Sequence, residues 1–141
     1  MPTPSELKKT LIAQGFEIYR TSPDQVSLAD RVRDNLLMDA GVGVRVHELS
    51  VRVVFKAQAS DFPSESADAL YERVRDLAKS VEQRGYREVS SNAVPVRDPG
   101  DRSKTLDTWY EITFERKLDS EGELPDELRH ALALEKTVAA R

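Results

Sequence analysis

The sequence contains no cysteine. That removes disulfides, thiolate zinc sites and cysteine nucleophiles together. It also favours a reducing compartment, since small secreted domains commonly depend on disulfides. Histidine is nearly as scarce: His47 and His130 stand far apart, in different predicted elements. No helix therefore carries the two-histidine pair of a zinc hydrolase. The carboxylates show no EF-hand spacing, and most fall on solvated helix faces. No metal and no cofactor is expected.

Glycine is sparse, at six residues. None belongs to a Gly-x-Ser-x-Gly elbow. Gly41-Val42-Gly43 is too short for a phosphate loop and leads into a strand, whereas such loops lead into a helix. No apolar run approaches the ~20 residues of a membrane span. The opening Met-Pro-Thr-Pro-Ser-Glu has no basic segment followed by an apolar one, so no signal peptide is expected. These readings predict a cytoplasmic chain without a membrane partner.

Charge of one sign is also lacking. The net charge is −4, and residues 118–141 supply most of it. A nearly neutral body argues against strong non-specific DNA binding, which leaves a basic footprint. Arginine outnumbers lysine 14 to 7, which fits a GC-rich bacterial genome. With 141 residues and 39% hydrophobic side chains, one domain with its own core is expected.

What is present is pattern. Thr3-Pro4-Ser5-Glu6 reads as a helix start, with Thr3 as cap and Pro4 in the first turn. Gly15 ends that helix, predicted over 4–14, and Phe16–Arg20 alternates as a strand does. Leu28, Val32 and Leu36 recur at four-residue steps, which predicts a helix over 29–39 after a short hairpin. Residues 42–57 give the richest strand signal, but the apolar phase flips between Val42-Val44-Val46 and Leu49-Val51-Val53-Phe55. A bulge at His47-Glu48 repairs the phase. A four-residue turn at His47–Ser50 is the alternative, but it lacks the Gly or Asn that tight turns favour.

Leu70, Val74, Leu77, Ala78 and Val81 mark an amphipathic helix over 65–84, closed by Gly85. A strand from Tyr86 to Val96, a tip at Asp98-Pro99-Gly100-Asp101 and a return strand through Phe114 follow. Asp119–Glu123 is polar and acidic, and Leu124-Pro125-Asp126-Glu127 starts a last helix.

The reading is an α+β fold. One mixed or mostly antiparallel sheet of four or five strands carries about three helices, an arrangement compatible with a ferredoxin-like layer, plus a C-terminal tail helix. Residues 1–118 form the domain, and 119–141 an acidic linker with the tail helix. Alternation turns Arg45 and His47 away from the core together, where a carboxylate or phosphate would meet them. Arg52 shares that side. Trp109 falls opposite Tyr110, Ile112 and Phe114, on the second sheet face, where aromatics serve partners.

Arg45, His47, Arg52 and Trp109 are thus the candidate binding surface. The expected function is a non-enzymatic protein-binding or regulatory module, with a protein partner or a second copy as homodimer. Two alternatives stand beside it. One is nucleic-acid binding through the same residues with Lys56. The other is a small-ligand site or enzyme pocket near Arg45 and His47.

Overall fold

The structure is a computed structural model, and it describes residues 3–140. Thr3 caps the first helix by accepting from the Glu6 amide at 3.2 Å, and Pro4 occupies the first turn. The described residues give four α-helices and six strands. They are α1 (Pro4–Ala13), β1 (Ile18–Thr21), β2 (Gln25–Arg33), β3 (Leu36–Arg45), β4 (Ser50–Gln58), α2 (Ala67–Leu77), α3 (Lys79–Gln83), β5 (Arg87–Asp98), β6 (Asp101–Lys117) and α4 (Leu124–Ala133). The strands make one antiparallel sheet in the order β1-β2-β3-β4-β6-β5.

The fold is therefore α+β, with six strands where four or five were expected. The order is not ferredoxin-like, because β1 to β4 are sequential neighbours. Among the described residues no helix is long and apolar enough to cross a membrane.

Two expectations fail locally. The stretch predicted as a helix over 29–39 is the end of a β-hairpin. Arg33 pairs with Leu36, so Asp34-Asn35 is the turn. The four-residue spacing of Leu28, Val32 and Leu36 mimics a helical stripe, yet only Leu28 of the three is buried. Residues 42–57 are likewise not one bulged strand. Arg45 pairs with Ser50, and Val46–Leu49 form the turn. Leu49 takes φ 50° there, a left-handed position usually given to glycine or asparagine. The turn hid behind that substitution.

The chain divides into two compact units, at 53/54, 114/115 and 134/135. The first unit holds residues 1–53 and 115–134. Its interior is aliphatic: Leu7 and Leu11 of α1, Val26 and Leu28 of β2, Val42 and Val44 of β3, Val51 and Val53 of β4, and Leu124, Leu128 and Ala131 of α4. The acidic segment before α4 builds its own start. The Glu123 carboxylate accepts from the amides of Asp119 and Ser120. That closes a capping box with Ser120, which satisfies amides a helix start leaves unpaired.

The second unit holds residues 54–114 and 135–141. Its interior is richer in aromatics: Phe55 and Phe114 meet edge to face at 5.7 Å, beside Leu70 and Val74 of α2 and Val81 of α3. Ser66 caps α2 through its hydroxyl. The predicted 65–84 helix is interrupted at Ala78, which ends α2 and precedes α3. The Lys56 backbone pairs with the chain end: its amide donates to Lys136, and its carbonyl accepts from Val138.

Candidate binding surfaces

Alternation along β4 buries Val51, Val53, Phe55 and Ala57 and leaves Arg52, Val54, Lys56 and Gln58 half-buried. The second face of the strand thus carries the polar groups, as its period of two requires. Within the first unit that face gathers Arg45 and Arg52 around Glu115 of β6. Arg45 Nη1 lies 3.5 Å from one Glu115 oxygen, and Arg52 Nε lies 3.2 Å from the other. Arg45 also donates to Glu48 at 2.9 Å. Two guanidinium groups and two carboxylates therefore balance. A phosphate ligand approaching either arginine would meet the negative charge of Glu115 or Glu48 beside it. His47 is exposed and sits in the turn after β3 rather than on the strand, next to Glu48.

Within the second unit the corresponding face carries Trp109. Lys56 Nζ stands 3.8 Å from the centre of its ring, a cation–π contact. The indole Nε1 donates to Asp107 Oδ2. Asp107 also accepts from the Ser60 amide at 2.9 Å, the Ser60 hydroxyl at 2.8 Å and the Thr108 amide at 2.8 Å. Partial burial pushes the Asp107 carboxyl up, but these donors together outweigh it and hold the group below its ordinary value. Trp109 is thus anchored by its own unit: a half-buried aromatic with its polar atom satisfied.

On the α2 side of that unit, Tyr71 and Tyr110 meet edge to face at 5.2 Å. Burial, with Tyr110 beside it, raises the Tyr71 hydroxyl above its ordinary value. The end of α3 and the start of β5 form a shallow, open depression lined by Glu82, Gly85, Tyr86, Arg87 and Glu88. Among the described residues no group of three or more histidines and carboxylates is arranged to hold a metal ion.

The most exposed apolar surface of the first unit lies where a helix was expected. Val32, Leu36, Leu37 and Met38 at the end of the β2–β3 hairpin are 54%, 44%, 36% and 52% exposed. A bulge explains why. Between the pairs Ser27–Gly43 and Ala29–Asp39, β3 carries two residues more than β2. Gly41 adopts φ 73° there, and its amide donates to Asp39. Such a bulge bends a strand, and the hairpin beyond it leaves the aliphatic core. Met38 pairs across the strands with Asp30 and Leu37 with Arg31, so apolar groups stand on both faces.

Sequence reasoning missed this surface because it read the apolar spacing as helical. The Asp34-Asn35 pair between two apolar runs was the available signal. No protein-family model matches the sequence, and no curated protein or solved structure is detectably similar to it.

Proposed function

We propose that the chain is a non-enzymatic protein-binding module. The observation that carries this reading is the exposure of Val32, Leu36, Leu37 and Met38 on one hairpin end. Together they present on the order of 300 Å² of apolar surface, divided between the two faces of the hairpin end, the scale of the larger exposed patches of soluble chains. The patch is rimmed by Asp30, Arg31, Arg33 and Asp34, charges of both signs. An apolar centre with a mixed polar rim is the anatomy of a protein interface.

The arginines of the sheet face support the same class of partner. Arg45 and Arg52, already balanced by Glu48 and Glu115, suit a protein surface better than a polyanion. Exposed His47 adds a polar contact to that unit, and Trp109 gives the other unit an aromatic one. The proposal keeps a cytoplasmic location, which the cysteine-free composition supports.

The test is affinity capture with the intact chain and with a Leu36→Lys/Met38→Lys variant, whose changes lie at solvent-facing positions and should leave folding intact. A protein retained by the parent chain and lost from the variant is the expected result. Identical recovery from both would rule out the hairpin end as the docking surface.

A further inference from the structure

A sheet end is a row of backbone amides and carbonyls without a strand beside it. The sheet ends at β5, twelve residues long. Arg87 to Ala93 are all exposed. Natural edges are commonly broken by charge or proline, and here both occur only toward the ends: Arg87 and Glu88 on one side, Pro95, Arg97 and Asp98 on the other. Val89-Ser90-Ser91-Asn92-Ala93-Val94 between them has no charge, no glycine and no proline. The unprotected stretch is thus in the middle, where a second strand would gain most backbone pairing.

We infer that this edge pairs with β5 of a second copy, antiparallel about a two-fold axis at the level of Ser91. A two-fold axis normal to the sheet keeps each side chain on its face. Opposed residues then share parity, and the axis runs between the strands at the level of one residue, midway between its two copies. With the axis on Ser91, residues 87–95 pair along their length: Arg87 faces Pro95 of the copy, Glu88 faces Val94, Val89 faces Ala93 and Ser90 faces Asn92. No like charges are directly opposed, and Arg87 and Arg97 of the copy are only diagonal. Moving the axis to Asn92 sets Arg87 against Arg97. Moving it to Ala93 sets Glu88 against Asp98. Like charges directly opposed destabilise a strand pair. Moving it to Ser90 shortens the pairing to residues 87–93. Moving it to Val94 pairs residues 90–98, an equal length, but sets Pro95, which has no N–H, next to the axis, so the Ser91 register is the longest that the charges and the proline allow. Glu88 is already held by Arg75, 3.0 Å away, so it needs no partner from the copy.

The inference deepens the protein-binding reading by naming one partner, a second copy of this chain, and it uses a surface other than the hairpin end. The absence of cysteine makes its test clean, because one introduced thiol reports alone. Residues opposed on an antiparallel axis have Cα atoms ~4.5 or ~5.5 Å apart, within the span a disulfide bridges.

Ser91→Cys under mild oxidation should convert to covalent dimer. Val89→Cys and Ala93→Cys should each fail to cross-link alone, yet cross-link when mixed, because each faces the other. In light scattering, the mass of the unmodified chain should rise from one chain toward two with concentration. Ser91→Arg, at an exposed site, should move that rise to about fivefold higher concentration without changing the circular dichroism. A dimer in which Ser91→Cys cross-links no faster than Val89→Cys or Ala93→Cys alone overturns the edge pairing and leaves the protein-binding reading standing. A strict monomer at every concentration overturns the edge pairing as well, and the capture experiment with the hairpin variant then decides the protein-binding reading independently.

Discussion

The two units hold their helices by different means. In the first, an aliphatic interior admits one charged pair: Arg116 of β6 donates to Glu127 of α4, whose side chain is 2% exposed. In the second, the interior holds a ring pair, Phe55 against Phe114, and Tyr71 meets Tyr110 at its half-buried margin. Its ion pairs, such as Arg75 with Glu72 and Glu88, lie in solvent. The difference teaches where charge carries structure. A pair in water contributes little, because screening and lost side-chain freedom offset the attraction. A pair with a buried carboxylate need not stabilise either, but removing its arginine takes away a bond that water replaces less readily than at the surface.

The largest effect should come from the buried ring pair. Phe114 is fully buried, and its loss removes both apolar area and the edge-to-face contact with Phe55. Phe114→Ala should cost about 4 kcal/mol in urea unfolding. A cost near 1 kcal/mol would mean that the aromatic pair is not the centre of that unit.

Next is the buried pair. Arg116→Ala should cost about 2 kcal/mol, because it removes a charge-assisted hydrogen bond from a carboxylate whose side chain is 2% exposed. The Arg116→Met/Glu127→Leu double variant should recover most of that loss, since apolar groups of similar size replace a buried pair at little cost. If the double variant were as unstable as Arg116→Ala, the pair would contribute attraction beyond mutual compensation, and the contrast between the units would sharpen. Arg75→Ala, by comparison, should change stability by only a few tenths of a kcal/mol.

Much of this organisation was legible in the sequence, and the exceptions share a physical cause. The Thr3-Pro4 start, the Leu70–Val74–Val81 stripe and the Asp98–Asp101 tip depend on neighbours within a few residues, and each stands where the pattern put it. The β2–β3 hairpin did not, because apolar side chains at four-residue steps imply a helix only if they are buried, and Val32 and Leu36 are exposed. The turn before β4 was obscured by Leu49 in a glycine-like conformation.

The candidate surface was legible in part. Alternation placed Trp109 on the face opposite Ile112 and Phe114. It could not show that Glu115 lies between Arg45 and Arg52, because Arg52 and Glu115 are 63 residues apart and meet only through strand pairing. Long-range pairing also decides whether a cation is free for a ligand.

A smaller effect than those of Phe114 and Arg116 tests the solvent-facing side of the second unit. Asp107 gathers four donors, from Ser60, Thr108 and Trp109, and ties the turn after β4 to β6. Asp107→Ala should cost about 1 kcal/mol, more than Arg75→Ala, because the carboxylate accepts from backbone amides fixed in place. The pH dependence follows from the direction of the shift. The folded state holds the Asp107 carboxyl below its ordinary value. The unfolded state therefore binds the proton first as pH falls, and folding favours the charged form. This contribution is fully present above the ordinary aspartate range and is lost as pH falls through the depressed folded value. Asp107→Asn should accordingly lower the thermal midpoint at neutral pH and converge on the parent chain in acid. A constant difference between the two across that range would show that the donors recognise the shape of the side chain rather than its charge.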